Sequence, residues 1–103
     1  MTPEAITVRI LKIVSHCAIE WGIEPSQVID KDRRWVAVEA RFAACMIAKQ
    51  LTGATNEFIG RIIGNRDEST IHNAIHTGNC WAQTDKKFAA KLNAAMKAAT
   101  PKT

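Results

Sequence analysis

The amino-acid sequence predicts an all-α fold, a compact bundle of about five to six helices that contains a helix-turn-helix. Three observations lead to this prediction. The 103 residues include only 3 prolines and 5 glycines, so long stretches carry no turn signal, and 47% of the residues are hydrophobic. Within these stretches apolar side chains recur at the three- and four-residue spacing of a helix face. Between residues 58 and 74, two such stretches are separated by a glycine-containing turn, as in a helix-turn-helix.

The first two predicted helices occupy residues 3–29. Thr2 is an N-cap followed by a proline at the first helical position, and Gly22 ends the first helix. A short helical turn follows over residues 24–29, and residues 30–34 form a charged connection. The apolar stripe of the first helix predicts its inward face, which consists of Ile6, Ile10, Ile13, Val14, Cys17 and Trp21.

The longest predicted helix begins at Arg34 or Trp35 and ends at Thr52, before Gly53. Its alanine-rich sequence has a high helix propensity. We expect it to present one long face and the indole of Trp35 to lie in the core; the alternative is that Trp35, which follows Arg33-Arg34 at the helix start, rests on the DNA backbone. The residues assigned to this face are Trp35, Val38, Phe42, Cys45, Met46 and Lys49.

Local capping residues predict the two helices of the helix-turn-helix. Thr55 caps a short helix, and Gly64 and Asn65 take the left-handed backbone that ends it. Asp67 is the predicted N-cap of the second helix. Because glycine lowers helix propensity, Gly78 is expected to kink this second helix or to stop it early.

The C-terminal part is predicted to be an amphipathic helix that follows Thr84 or Asp85. Residues 1–100 therefore form a single predicted domain, and residues 101–103 form a frayed tail. The inward residues of the last helix are predicted to be Phe88, Leu92, Ala95 and Met96.

Charge and cysteine content restrict the class of protein. The net charge is +4, and most of the basic excess lies between residues 31 and 66, which favours an anionic partner. The number of cysteines, 3, is odd, and the sequence has neither a signal peptide nor a long apolar run. We therefore expect a cytoplasmic, nucleoid-associated protein without a membrane span, whose cysteines are small core residues.

The second helix of the helix-turn-helix opens with polar side chains suited to reading DNA bases. Glu68 is able to accept a hydrogen bond from cytosine N4, and Asn73 is able to pair with adenine when it faces the groove. The helix N-terminus itself attracts phosphate. Further candidate contacts to bases and phosphates come from Ser69, Thr70, Arg61 and Arg66.

Metal binding and catalysis have weaker support. His72, His76 and Cys80 share one helical face and would suit zinc, but one helix supplies only three ligands and Gly78 interrupts them. The sequence contains no phosphate-cradling glycine loop, nucleophile elbow or CxxC motif. We therefore expect no metal, no cofactor, no nucleotide and no enzyme activity.

Three blocks of sequence are typical of one known family. They are residues 28–34, residues 40–52, and residues 59–74 with Gly64-Asn65-Arg66-Asp67 at their centre. In the family the last block usually reads G-x-R-D-H-T-T-V, followed by two residues and alanine. From Ile6 to Met96 the chain resembles the C-terminal DNA-binding domain, domain IV, of the bacterial replication initiator DnaA, which has a Trp-repressor-like helix-turn-helix fold.

The resemblance implies a monomer that binds duplex DNA with its second motif helix in the major groove. It assigns Arg33 to the minor groove, with Arg34 beside it. It assigns Arg41 to a phosphate, and we expect Lys49 to contribute to the same phosphate clamp. The turn and helix start that clamp the backbone and read bases correspond to Arg66, Asp67, Glu68, Ser69 and Thr70.

The sequence departs from the family pattern at several reading positions. Glu68 replaces a histidine, and Ser69 replaces a threonine whose methyl group would contact a thymine methyl. His72 and Asn73 replace a leucine-histidine pair, and Phe42 replaces a glutamine. The carboxylate of Glu68 is therefore expected to weaken binding to the family's usual box or to change the preferred base.

No Walker motif is present, so ATP-driven initiation is not expected. The predicted function is sequence-specific binding of double-stranded DNA by a small replication or transcription regulator without ATPase activity, encoded by a phage or mobile element. The alternative is a protein-protein interaction module that kept the fold and lost specific DNA reading, in which case the partner is a protein.

Overall fold

A computed structural model describes residues 2–101 and confirms the all-α prediction. Met1, Lys102 and Thr103 lie outside the described residues, so the predicted tail is described only at Pro101. The described part of the chain contains six helices and no strand. In chain order the helices are α1 (Pro3–Trp21), α2 (Pro25–Ile29), α3 (Trp35–Thr52), α4 (Asn56–Ile62), α5 (Glu68–Thr84) and α6 (Lys86–Ala99).

The helix ends follow from the capping residues that the sequence shows. The Thr2 hydroxyl accepts a hydrogen bond from the backbone N–H of Ala5 at 3.1 Å. Gly22 ends α1 and Gly53 ends α3, both in the left-handed conformation with φ near +70° (69° and 68°). The predicted bounds of α1 and α3 are therefore confirmed.

Helix α3 lies at the centre of the bundle, because it packs against each of the other five helices. Helices α1 and α5 both pack on α3 and do not pack against each other. Small side chains allow this close approach on several sides of α3. Its buried residues are Ala37, Ala40, Arg41, Ala43, Ala44, Cys45, Ile47 and Ala48.

This arrangement confirms only part of the predicted face of α3. Cys45 is fully buried, and Phe42 and Met46 are partly buried against the core, whereas Lys49 is exposed. The placement of Trp35 in the core was wrong, since its side chain is 62% exposed. A central helix is covered on most sides, so its alanines and Ile47 are buried, while Phe42 and Met46 are only partly covered.

The prediction that Gly78 stops α5 early was wrong as well. Helix α5 continues through Gly78 to Thr84, and Gly78 is buried. A Cβ atom at this position would lie 2.4 Å from the sulfur of Met46, so the absence of a side chain lets α5 approach α3. Glycine here serves helix packing and does not end the helix.

Two of the three cysteines are core residues, as predicted. Cys17 and Cys45 are buried, and burial raises the pKa of each thiol to about 12. Cys80 is exposed, so its assignment to the core was wrong. It lies on the outer side of α5, away from the buried Ile71, Ala74 and Gly78.

Within residues 2–101 no helix has the length and apolarity needed to cross a bilayer.

Candidate nucleic-acid interface

The turn between α4 and α5 has the backbone geometry that the sequence predicts. Gly64 (φ 74°) and Asn65 (φ 52°) both adopt the left-handed conformation. The N–H of Arg66 then donates to the carbonyl oxygen of Gly60 at 2.8 Å. A Cβ atom on Gly60 would lie 2.1 Å from the carbonyl oxygen of Arg66, so only glycine permits this contact. The turn is therefore closed against α4.

Asp67 is the N-cap of α5, as predicted. Its Oδ1 accepts hydrogen bonds from the backbone N–H of Thr70 at 2.8 Å and from the hydroxyl of Ser69 at 3.1 Å. These hydrogen bonds, those from Thr70 first, lower the pKa of the Asp67 carboxyl. The cap fixes the first turn of α5, and with it the direction of the side chains that follow.

Buried apolar residues set which face of α5 is open to solvent. Ile71 is fully buried and Ala74 is nearly so. Because neighbouring helical residues point about 100° apart, the polar side chains around them project outward. The exposed residues of these first two turns are Glu68, Ser69, Thr70, His72 and Asn73. The structure therefore brings the four predicted DNA contacts of α5 onto one exposed surface together with His72. These four are Glu68, Ser69, Thr70 and Asn73.

Arg66 ties the turn to the segment that follows α2. Its guanidinium donates to the carbonyl oxygens of Ile29 at 2.7 Å, Ile63 at 2.9 Å and Asp30 at 2.8 Å. Partial burial lowers the pKa of Arg66, although the group stays charged because an arginine pKa is so high. Arg66, which the sequence predicted to bind a DNA phosphate, thus donates to the protein's own backbone.

Arg41 is engaged in the same way, and only 8% of it is exposed. Its Nε donates to the carbonyl oxygen of Val28 at 2.7 Å. Its Nη2 lies within hydrogen-bonding distance of three more carbonyl oxygens, those of Gln27 (3.2 Å), Asp30 (2.7 Å) and Asp32 (2.9 Å). Burial, and then the nearby charge of Arg66, lower the pKa of Arg41.

Most of these acceptors belong to the last turn of α2 and the residue after it. Carbonyl groups at a helix C-terminus have no partner within the helix and carry partial negative charge. Arg41 from α3 and Arg66 from the α4–α5 turn therefore cap α2 together. Sequence reasoning missed this role, since the carbonyls come from residues that lie far away along the chain.

The charged connection before α3 positions two neighbouring arginines differently. Asp32 accepts hydrogen bonds from the backbone N–H of Arg34 at 2.9 Å and from its guanidinium at 2.6–3.1 Å. These bonds hold the pKa of the Asp32 carboxyl well below its usual range. Arg33 is exposed, and no ion pair of Arg33 occurs in the described part of the chain.

Arg33 borders a small cleft of about 220 Å³ between this connection, α3 and the turn. We call it the arginine cleft. Four of its five ionisable side chains are basic, so the cleft attracts anions. Its lining residues are Lys31, Asp32, Arg33, Val38, Arg41 and Arg66.

Two further predicted contacts lie outside the cleft. Lys49, near the end of α3, is exposed and donates from Nζ to the carbonyl oxygen of Ala54 at 2.9 Å. Arg61, on α4, is exposed and forms an ion pair with Glu57 one turn earlier.

The residues considered for zinc binding are exposed on α5; they are His72, His76 and Cys80. Residues 2–101 hold no group of three or more side chains placed to bind a metal ion.

This geometry defines a helix-turn-helix domain, a class of fold that binds DNA. A family model described as the bacterial dnaA protein helix-turn-helix matches residues 10–77, and the chain belongs to this family. The resemblance that the sequence carries is thereby confirmed, and the family implies DNA binding.

Curated relatives agree with the family match. The chromosomal replication initiator protein DnaA of Nautilia profundicola is 32% identical over 89 residues, which is 86% of this chain and 20% of the relative. The protein of the same name from Bacteroides thetaiotaomicron is 33% identical over 90 residues, covering 86% and 18%. That of Thermus thermophilus is 26% identical over 98 residues, covering 95% and 22%. The chain thus spans about a fifth of these relatives. No solved structure matches significantly.

Proposed function

We propose that this domain binds double-stranded DNA sequence-specifically, as a monomer, and acts as a small regulator of replication or transcription without ATPase activity. The observation that carries the proposal is the exposed polar surface at the start of α5, on a turn anchored to two other helices. The relatives, named as replication initiators, support a role at the nucleoid in the cytoplasm.

The first two turns of α5 read bases in the major groove. Glu68 accepts from cytosine N4 and Asn73 pairs with adenine. Ser69 and Thr70 donate to bases or to phosphate oxygens near the positive end of the helix dipole. Because Glu68 is an acceptor without a donor, the preferred site contains a cytosine where a histidine would tolerate guanine or adenine acceptors.

The remaining basic residues divide into those that contact DNA and those that shape the site. Arg33 enters the minor groove. It is the candidate because Asp32 forms its ion pair with Arg34 and not with Arg33. Lys49 and Arg61 are exposed and bind phosphates.

Arg41, Arg66 and Asp67 act mainly as positioning residues. The guanidiniums of both arginines are committed to backbone carbonyls, and the Asp67 carboxylate is committed to the start of α5. The two arginines still add positive charge beneath the DNA surface, which favours phosphates without direct contact.

Selection from a randomised duplex pool at one fixed salt concentration tests the proposal. We expect one motif to be enriched, and Asn73→Ala to relax it at one position with a loss of about 1–3 kcal/mol. Asn93→Ala, a change of the same residue type at an exposed position of α6, should leave the motif unchanged. Enrichment of no motif would contradict specific reading and would favour the protein-interaction alternative.

The dependence of affinity on salt gives a second readout. Contacts by the three basic residues placed on the DNA, Arg33, Lys49 and Arg61, predict that log K falls with log salt at a slope of roughly −3. Arg33→Ala and Lys49→Ala should each reduce the magnitude of the slope by about 1. A flat response would contradict a phosphate-contacting surface.

A further inference from the structure

An exposed tryptophan lies at the start of α3, directly after the connection that carries Arg33. Trp35 is 62% exposed, whereas Trp21 is buried and Trp81 is partly buried. Large aromatic side chains contribute strongly to binding when they are covered, so the exposed indole is available to a ligand.

Other aromatic rings hold the Trp35 indole in place from within. Its centroid lies 5.1 Å from that of Trp81, with 54° between the ring planes. Trp81 stacks nearly parallel on Phe42 at 5.0 Å and meets Phe88 edge-on at 5.5 Å. The indole therefore packs at an angle against an aromatic cluster, and most of its surface is exposed to solvent.

The cleft supplies positive charge next to the indole, mainly from the exposed Lys31 and Arg33, because Arg41 and Arg66 donate to backbone carbonyls. Val38 lies three residues after Trp35 on the same face of α3, and it lines the arginine cleft. Arg33 borders the same cleft two residues before Trp35. A basic groove for the backbone beside an aromatic surface for a base is the combination that single-stranded nucleic acid requires.

The open face of Trp35 distinguishes single strands from duplex DNA. In a duplex both faces of each base are covered by its stacked neighbours, and only base edges and the backbone are presented. An indole face stacks fully only on a base that has left the stack. We propose that Trp35, with the exposed Lys31 and Arg33 of the arginine cleft, forms a second site, which shares Arg33 with the duplex surface and binds an unpaired base and its phosphate in single-stranded DNA.

The binding of a fluorescein-labelled oligothymidylate of about eight nucleotides, followed by anisotropy at one low salt concentration, tests this site. We expect Trp35→Ala to bind about tenfold more weakly than the unchanged chain and Trp35→Phe to lose less, since phenylalanine keeps a stacking face. Ile19→Ala is the matched control, because Ile19 is a 71% exposed apolar residue on α1, and it should bind normally. Circular dichroism checks that each variant is folded.

The single-strand proposal is overturned if the unchanged chain does not bind the oligothymidylate or if Trp35→Ala binds it equally well. A blunt duplex that carries the selected motif separates this result from the proposed function. Trp35→Ala should bind that duplex within about twofold of the unchanged chain, because stacking on Trp35 needs an unpaired base. If Trp35→Ala lowered the affinity for the duplex but not for the oligothymidylate, Trp35 would be a duplex contact, and this result would also overturn the proposal. If the selection enriched no motif but Trp35→Ala still weakened binding of the oligothymidylate, the proposed function would be contradicted and the second site would still be supported.

Discussion

At the scale of single residues, the arginines show how one residue type takes different roles. Arg33 faces solvent, whereas Arg41 and Arg66 donate to the end of α2. A guanidinium has five N–H donors in a fixed plane, so it is able to bind several carbonyl oxygens at once. The sequence marks all three as basic residues near a helix-turn-helix, and only the burial of the guanidinium separates them.

Arg66→Ala is expected to destabilise the domain by about 2 kcal/mol or more, because three carbonyl oxygens lose a charged donor. Arg61→Ala is the control, since it removes an exposed ion pair worth less than about 1 kcal/mol. Urea unfolding followed by circular dichroism measures both, with the m-value as a check on two-state behaviour. Equal, small losses for the two variants would contradict an anchoring role for Arg66.

At the scale of helices and turns, capping residues decide where each element begins and ends. Thr2, Thr55 and Asp67 each accept a hydrogen bond from a backbone N–H of the helix that they precede. Such interactions involve residues within one helical turn, so the sequence alone predicts them. The turn of the helix-turn-helix was predictable for the same reason.

Acidification is expected to remove the stabilisation that the Asp67 carboxylate gives to α5. Its pKa is lower in the folded protein than in the unfolded chain, so this stability is present above the unfolded pKa of about 3.9. It is lost as the pH falls through the folded pKa. In unfolding experiments between neutral pH and about pH 2, the advantage of the unchanged chain over Asp67→Ala should therefore shrink.

Asp67→Asn is the control for this experiment. Asparagine is a good N-cap but does not titrate, so its advantage over alanine should not depend on pH in this range. A constant difference between the unchanged chain and Asp67→Ala at all pH values would show that the charge does not contribute.

Gly60→Ala is expected to open the α4–α5 turn. The new Cβ would meet the Arg66 carbonyl group, which is backbone and is unable to rotate away. Overpacking of this kind costs about 1–3 kcal/mol, and duplex binding should fall with it. Gly53→Ala is the control, since that Cβ meets nothing within 4 Å and its cost of about 1 kcal/mol comes from the positive φ alone. If duplex affinity fell no more for Gly60→Ala than for Gly53→Ala, close packing of the turn would not support binding.

At the scale of the whole molecule, the central position of α3 separates two surfaces. Helices α5 and α1 lie against different parts of α3, since they do not pack on each other, while α4 contacts both α1 and α5. The arginine cleft forms where α3 meets the charged connection and the turn. The proposed DNA surface therefore lies on one side of the bundle, and the exposed side of α1 does not belong to it.

The sequence predicted the fold class, the bounds of α1 and α3 and the exposed start of α5, because these depend on local spacing and caps. It did not predict the position of α3, since a helix rich in alanine has no marked apolar face. It also failed for Trp35 and Arg41, whose environments are set by residues distant along the chain, Trp81 and Val28. Helix packing decides such positions, and a single sequence does not display it.

The central claim is that the start of α5 and the connection before α3 form one DNA-binding surface. Amide chemical shifts of the ¹⁵N-labelled domain, titrated with the selected duplex, test it most directly. We expect the largest changes at residues 68–73, at residues 31–34 and near Lys49, with little change along α1. Changes confined to α1 and α6, or a duplex that leaves residues 68–73 unaffected, would contradict the claim.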